Sequence, residues 1–525
     1  MRLSSPILTN CILGVPAASA GFSEGQIIAS GSILRIEAHL LQPIQAELPH
    51  ANAATLRPLC VDLDGTLVKS DTLVDSLFVL SRLHPERLLK LPGQLLRGKA
   101  ALKAFVAESV SLDVEFLPYN QELLEFLRQE LERGRPIYLA TGANDRIAYR
   151  VAEHLDLFAD VLASDSATNL TGNRKLDLLR TRLDGAPFDY IGNDTPDMPL
   201  LAASVEPMVA NPSRRLRAQL KARGIRPVHA FDERRSFPQL LFKALRPHQW
   251  SKNLLIFVPL LCSHALSTEK LLTALAAFFC FSFTASSAYI VNDLLDIESD
   301  RRHVRKRRRP FASGELSGLS GVVTAVLLLV AGLAGGVLLP GAFLAWLLVY
   351  LAVTLAYSTL LKRFASVDVM VLAGLYISRL LAGSSVTQTP ISHWLAGFSL
   401  FLFLSLAIVK RFAELQNLRA SNLAPNSDRG YLISDIDQLR SFGTASAYAA
   451  VVVFAIYITG SDVSRLYRRP GLLWLIVPLI TLWLNRVWLL ASRGQLDEDP
   501  VAFALTDRMS QIIAIAVVII ALLAI

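Results

Sequence analysis

The sequence predicts two fold classes in one chain: a soluble α/β part followed by an all-α polytopic membrane bundle of about nine transmembrane helices. Three observations predict this. At roughly 100 to 200 residues per domain, 525 residues call for two to four units. Apolar residues make up 52% and charged residues 18%, with a mean hydropathy of +0.42. Soluble proteins average about 45–50% and about 25%, so an ordinary soluble enzyme is disfavoured. The composition also breaks near residue 246, from mixed α/β character to long apolar stretches separated by basic loops.

The expected order is an N-terminal extension (1–56), an α/β domain (57–230), a linker (231–245) and the membrane domain (246–525). In the extension, Arg2, a mildly apolar Pro6 to Ala18 and Ala18-Ser19-Ala20 sketch a secretory signal. Pro6, Asn10 and Pro16 interrupt its core, and export would invert the charge bias described below. The expectation is a poorly ordered extension or a start placed too far upstream. Cys11, Cys60, Cys262 and Cys280 show no CxxC spacing and are expected to be free thiols, which favours a reducing cytosol.

In the α/β part, Leu59–Leu67 (LCVDLDGTL) reads as a buried strand ending in Asp62 and Asp64. Acids at i and i+2 leave a strand end facing one way. Such a pair suits a nucleophile and a general acid around a divalent cation, because open α/β sheets bind ligands at that end. An ordinary acidic turn would read the same in isolation. Further pieces follow in order: Ile137–Gly142 (IYLATG), a strand ending in Thr141; Lys175 in GNRK; and Asp189–Leu200 (DYIGNDTPDMPL), a strand ending in acids.

Together these four motifs resemble the haloacid dehalogenase-like phosphohydrolase superfamily over about residues 57–230. The resemblance implies a Rossmann-like α/β fold with a helical cap at about 68–134. It implies Asp62 as the nucleophile that forms an aspartyl-phosphate, Asp64 as the acid/base, and Thr141 and Lys175 as phosphate ligands. Lys175 would also neutralise crowded carboxylates. Mg²⁺ would be held by Asp62 and Asp64 with Asp194 or Asp197. One departure matters: Asn193 stands where the family usually places a metal-liganding aspartate. The helix-rich insertion fits a cap, a plain helical face, or a contact with anionic lipid through Arg87, Lys90, Arg97, Lys99 and Lys103.

A bilayer core about 30 Å thick needs around 20 apolar residues per helix. Candidate spans start near Asn253, Leu271, Gly318, Gly341, Val367, Ser392, Ser441, Gly471 and Met509, the first of them short. The loop after the second span carries Arg301, Arg302, Arg305, Lys306, Arg307, Arg308 and Arg309, and later loops on that side add Lys362, Arg363, Lys410, Arg411 and Arg419. Positive residues stay on the cytoplasmic side, so the soluble domain is expected in the cytoplasm at an inner (plasma) membrane. Arg465, Arg468 and Arg469 run against this bias. The net charge of +8 and pI near 9.3 therefore suit anionic lipid. Nucleic acid is a poor partner, because the basic run abuts a span and lacks an aromatic residue for stacking.

At the end of the second span, Asn292 is followed by Asp293, Asp296 and Asp300, spaced i, i+3, i+7. A continuing helix would put all three on one face, within roughly 60°. Carboxylates where a helix leaves the bilayer are costly unless cations hold them. Mg²⁺ takes few protein ligands and completes its shell from phosphate and water, so this reads as a diphosphate-binding face; a solvated acidic end balanced by the following arginines is the plain alternative. A second polar set comprises Tyr357, Lys362, Arg363 and Asp368, with Arg379 inside the fifth span. Arg379 should point into a cavity and meet a carboxylate or phosphate.

This half resembles the UbiA prenyltransferase superfamily, whose bundles carry an NDxxDxxxD motif, here Asn292, Asp293, Asp296 and Asp300. RPHQWSKN (Arg246–Asn253), KRFAEL (Lys410–Leu415), RGY (Arg429–Tyr431) and DPVAFALTDR (Asp499–Arg508) look like its decaprenyl-phosphate phosphoribosyltransferase branch. The resemblance implies Mg²⁺ held by the NDxxDxxxD residues, phosphoribosyl diphosphate as donor and a polyprenyl phosphate lipid as acceptor. Lys252, Asn253, Lys306, Arg309, Tyr357, Lys362, Asp368, Arg379 and Lys410 are then the substrate-binding candidates. A homo-oligomer is compatible with such a bundle. The fusion suggests that the soluble domain removes the 5-phosphate of the lipid product. Two other readings stand beside it: a prenyl diphosphate donor with an aromatic or other small acceptor and a regulatory or inactive phosphatase domain, and a transporter or lipid-binding protein, against which the spans show no convincing inverted repeat.

Overall fold

The computed structural model describes residues 56–525 except 233–234, 265, 421–429 and 497–499. The expected extension through Thr55, with Cys11, and the motif residues Arg429 and Asp499 lie outside the described residues.

Strands β1 (Leu59–Val61), β2 (Ile137–Asn144), β3 (Asp160–Ser164), β4 (Asp189–Gly192), β5 (Pro207–Ala210) and β6 (His229–Phe231) form one sheet in the order β3-β2-β1-β4-β5-β6. All its pairings are parallel. A parallel sheet is covered on both faces, which is why β1 is apolar throughout. Leu59 and Val61 enter one core, with Leu123, Leu127 and Val151. Cys60 enters the opposite core, with Leu179, Leu201 and Leu216. Burial pushes the Cys60 thiol up to about 12. Strand order reverses between β1 and β4, and ligands bind outside the carboxyl ends of strands at such a point. Both acidic motifs of the soluble part emerge there.

After β1 the chain builds helix α1 (Thr72–Leu83), whose N-terminus is capped by the Asp71 carboxylate accepting from the Leu73 and Val74 amides. The helix Lys99–Ser109 follows, and the chain returns where Tyr119 bridges Val68. The next helix, Gln121–Glu132, buries Leu123, Leu124 and Leu127 in the β1 core. This helix lies inside the range expected for the cap, and Val79, Leu80 and Val106 of the helices before it enter the same core.

The expected linker is largely structured: Phe237–Leu245 is a helix whose Leu240 and Ala244 pack with Ile290, Leu294 and Ile297. Its periodic apolar stripe finds a partner in the bundle. The helix ends at Arg246, in the left-handed region at φ 52°.

Among the described residues, six helices are long and apolar enough to cross a membrane: Thr268–Leu295, Gly318–Val337, Val367–Thr387, His393–Ala420, Ile433–Ile458 and Pro470–Ser492. Phe343–Thr359 and Arg508–Ala524 are apolar but shorter. The expected first span is instead a run of 3₁₀ turns, Pro247–Phe257, followed by a short helix, Val258–Cys262. Pro247 and Pro259, which cannot donate to a helical ladder, bracket that run. Cys60, Cys262 and Cys280 are free thiols.

Candidate active sites

Asp62 follows β1 directly and is buried. Its carboxylate accepts from Lys175 Nζ at 2.8 Å. The lysine, from the helix Asn173–Arg182, also donates to Asp197 at 3.1 Å and to the Tyr190 hydroxyl at 3.0 Å. Tyr190 in turn donates to Asp197 at 2.8 Å. Burial raises Asp62 to about 6 against the pull of Lys175. Asp64 is half-buried and accepts from the Thr72 amide at 2.8 Å, which fixes it to the start of α1. Burial, reinforced by Asp71, raises it to about 8. At neutral pH the first carboxyl is mostly ionised and the second mostly protonated, as a nucleophile and a general acid require.

Gly65, at φ 76°, is glycine for a further reason: a Cβ there would lie 1.9 Å from the Asn193 amide nitrogen. Asn193 is thereby pressed against the loop that carries both acids. Asp197 is committed elsewhere, because its second oxygen accepts from the Asn193 and Asp194 amides at 3.1 and 3.4 Å. Asp194 is exposed. Asp197 thus serves as an internal hydrogen-bond acceptor, while Asp194 faces outward. Asp62 and Asp64 bring hard oxygen atoms to the same loop, and this suits a divalent cation that draws further ligands from phosphate and water.

Thr141 is fully buried, with its hydroxyl accepting from the Ala143 amide at 3.0 Å. Lys103, in the segment that fits a cap, a plain helical face or a lipid contact, donates to the Gly142 carbonyl at 2.5 Å and to Asn169 at 2.9 Å. Burial lowers this lysine while Asp64 and Asp71 counteract. The cap thus contributes a cation beside the acid pair, a role for which a lysine in a basic helix gives no signal in sequence.

In the membrane part, the helix expected to run past Asp300 is broken: Thr268–Leu295 ends, Asp296 sits at the joint, and Ile297–Arg302 resumes. The amides of Asp296 and Asp300 still donate to the carbonyls of Asn292 and Asp296 at 2.9 and 2.8 Å, so the face turns little. Arg309 Nη1 joins Asp293 at 3.0 Å and Asp300 at 2.5 Å. Arg246 donates to both oxygens of Asp293 at 2.6 and 2.8 Å. Asp296 accepts from Asn292 at 3.1 Å and pairs with Arg82 at 3.3 Å. Burial raises Asp300 to about 6, opposed by Arg309. Among the described residues no three acids, histidines or cysteines are gathered around a common point that could hold a metal ion. Guanidinium groups neutralise the carboxylates, which would otherwise repel one another.

A second cluster is internal. Arg411 pairs with Asp368, donates to the Tyr357 hydroxyl at 2.7 Å and reaches Glu414 at 2.5 Å. Tyr431 donates to Asp368 at 2.6 Å. Tyr357 and Asp368 therefore have partners within the chain, and the KRFAEL and RGY motifs meet around one buried carboxylate.

The UbiA prenyltransferase family matches residues 254–510, and the haloacid dehalogenase-like hydrolase family matches residues 59–187. An uncharacterized protein, y4nM of Sinorhizobium fredii, is 35% identical and covers 86% of this chain and 88% of its own length. Nodulation protein NoeC of Azorhizobium caulinodans is 35% identical over 51% of this chain and 87% of its own. Decaprenyl-phosphate phosphoribosyltransferase of Mycobacterium tuberculosis is 33% identical over 52% and 90%. The chain belongs to the UbiA prenyltransferase family, with a haloacid dehalogenase-like hydrolase domain ahead of it.

The UbiA-type part is thus a multi-pass membrane domain, and its remaining candidates separate by environment. Arg379 donates to Asn253 Oδ1 at 2.8 Å and lies 4.8 Å from the Tyr350 ring centre and 5.3 Å from that of Phe281. A carboxylate or phosphate is the expected partner; among the described residues Arg379 meets no carboxylate but an amide and aromatic faces, which also stabilise a guanidinium. Asn253 is occupied at both ends, since its amide nitrogen donates to Ser282 at 2.9 Å. Lys252 stands 6.0 Å from the Tyr376 ring centre. Lys306, Lys362 and Lys410 are half-buried. Arg246 was legible only as the first residue of RPHQWSKN; its contact with Asp293 depends on the left-handed backbone at that position.

Proposed function

We propose that this UbiA-family protein transfers 5-phosphoribose from phosphoribosyl diphosphate to a polyprenyl (decaprenyl) phosphate with release of diphosphate, and that its hydrolase domain removes the 5-phosphate of the lipid product. The observation that carries this reading is the carboxylate face of Asp293, Asp296 and Asp300, lined by Arg246 and Arg309, in a half-chain 33% identical to decaprenyl-phosphate phosphoribosyltransferase. Residues 57–230 act as the phosphatase and residues 246–525 as the transferase. The basic loops favour the soluble domain on the cytoplasmic side of the inner membrane.

On the transfer face the set Asp293, Asp296 and Asp300 would supply the few protein ligands that Mg²⁺ needs, the rest of its shell coming from phosphate and water, with Arg246 and Arg309 keeping Asp293 and Asp300 in register. The bound ion supplies charge that stabilises departing diphosphate. Lys252, Lys306, Lys362 and Lys410 supply cations for the donor 5-phosphate and the acceptor phosphate.

In the hydrolase domain Asp62 would hold a cation that screens the phosphate, with Asp64 beside it keeping its proton for the leaving group. An Asp62 oxygen attacks the phosphorus and the sugar–oxygen bond to phosphorus breaks, while the Asp64 proton passes to the leaving alkoxide. Asp64, now ionised, takes a proton from water as that water attacks the aspartyl-phosphate, which restores both carboxyls. Lys175 orients Asp62 throughout.

The test is to supply the purified protein with phosphoribosyl diphosphate, decaprenyl phosphate and Mg²⁺ and to weigh the lipid. Gain of ribose without its 5-phosphate, reverting to phosphoribose in Asp62→Asn, is the expected result. A lipid that gains no sugar overturns the transferase assignment and redirects it to prenyl transfer from a diphosphate donor.

A further inference from the structure

Helix α1 belongs to the hydrolase domain, yet one of its faces is docked on the transferase. Its Asp75, Phe78 and Arg82 follow the helical spacing i, i+3, i+7, so they share that face. Asp75 meets Arg301 at 2.8 Å. Phe78 packs so closely on Gly318 that a Cβ there would stand 2.5 Å from the ring. Arg82 reaches Asp296 at 3.3 Å and the Ser299 hydroxyl at 3.4 Å. The other end of the same helix holds Asp64 through the Thr72 amide. Ten residue steps of about 1.5 Å separate Thr72 from Arg82, so roughly 15 Å of helix links the two acidic sites.

We propose that Arg82 is a diphosphate-binding residue of the transfer site, supplied by the hydrolase domain. This rests on the reading of the Asp293–Asp300 face as the diphosphate site. Arg246 and Arg309 grip Asp293 and Asp300 from within the membrane half, whereas Arg82 approaches Asp296 from the soluble half. Its side chain is 30% exposed and that of Asp296 19%, so the pair lies on the open side of the cluster, where a ligand arrives. A diphosphate entering on that side competes with Asp296 for Arg82. Arg82 then presents its guanidinium to an oxygen of the diphosphate, and a guanidinium is suited to phosphate in charge and in fork geometry. The transfer site is therefore incomplete without the hydrolase domain.

The experiment measures binding of inorganic pyrophosphate with Mg²⁺ to the full chain in detergent by titration calorimetry. The heat lost in Asp293→Asn defines the transfer-site component. For that component, Arg82→Ala should weaken binding at least tenfold, the effect of one charge-assisted hydrogen bond, and Arg82→Lys should recover part of the loss. Arg302→Ala, which removes another ion pair between the two domains, the 2.9 Å contact with Asp113, should stay within about twofold of the parent. Parental affinity in Arg82→Ala overturns the proposal, as does an equal loss in Arg302→Ala, because the effect would then be one of docking. If the parent shows no Asp293-dependent binding, the diphosphate reading itself fails and this assignment falls with it.

Discussion

Arg301, the residue after Asp300, closes on Asp75 of the hydrolase domain at 2.8 Å with both side chains almost fully buried. The same guanidinium donates to Ser70 Oγ at 3.0 Å and to the Ala312 carbonyl at 3.1 Å, and Ser70 donates to Asp75 at 2.6 Å. The loop from Asp64 to Thr72 is thus fastened to the residue adjoining the transferase motif. Removing one partner of such a pair leaves a buried charge uncompensated and costs about 3–5 kcal/mol. Arg301→Ala should lower the melting temperature and separate the melting of the two halves in calorimetry. Pairing it with Asp75→Leu should recover much of the loss. A single transition unchanged in temperature would show that the contact does not couple the halves.

Lys175 neutralises Asp62 and Asp197 together, so its loss acts on the nucleophile's protonation as well as on its position. Lys175→Met should raise the Asp62 pKa above its parental value of about 6 and shift the acid limb of phosphomonoester hydrolysis to higher pH. The rate at neutral pH should fall at least a hundredfold, since catalysis by a positioned group is typically worth about 10²–10⁴. A pH–rate profile of the variant on a soluble phosphomonoester checks both. An unmoved limb would assign Lys175 to positioning alone.

Asp64 gives a prediction whose sign is fixed by linkage. Its pKa is raised to about 8 in the metal-free protein, so it holds a proton at pH 7 and has released it by pH 9. As the general acid it must keep that proton until the leaving group takes it, so hydrolysis of a soluble phosphomonoester should fall as pH rises through about 8. Asp64→Asn should lower the rate at pH 7 at least a hundredfold, since a positioned acid is typically worth about 10²–10⁴, and should abolish that basic limb. A parental profile flat from about pH 7 to about pH 9 would contradict the raised pKa.

How far the sequence carried the fold depended on whether a feature was local. Leu59–Leu67 announces a buried strand and its acid pair because pattern and chemistry lie within nine residues. The apolar helices beyond residue 246 were legible for the same reason, by length and hydropathy. What stayed hidden was set by three-dimensional partners. Arg301 and Asp75 are 226 residues apart, and nothing in a basic loop says that one of its arginines will be buried in another domain. The break at Asp296 and the reversed backbone at Arg246 are single-residue departures that periodicity smooths over. The expected linker was read as connection because its nine helical residues, Phe237–Leu245, reveal their apolar face only against Ile290 and Leu294. A buried carboxylate awaiting a ligand and one already satisfied, the two roles open to Asp197 and Asp368, look alike in sequence.

That distinction is testable at Asp368, which is fully buried and held by Arg411 and Tyr431. If the cluster is structural, Arg411→Leu strands the carboxylate and should cost about 3–5 kcal/mol. Arg411→Leu with Asp368→Leu should be far less damaging than the sum of the single changes, a coupling that melting in detergent can read as a double-mutant cycle. Transfer activity should then follow the folded fraction. If Asp368 instead contacts substrate, Asp368→Asn, which keeps the shape and a hydrogen-bonding oxygen, should abolish transfer while leaving the melting temperature close to that of the parent. The two roles move opposite observables, so one pair of variants separates them.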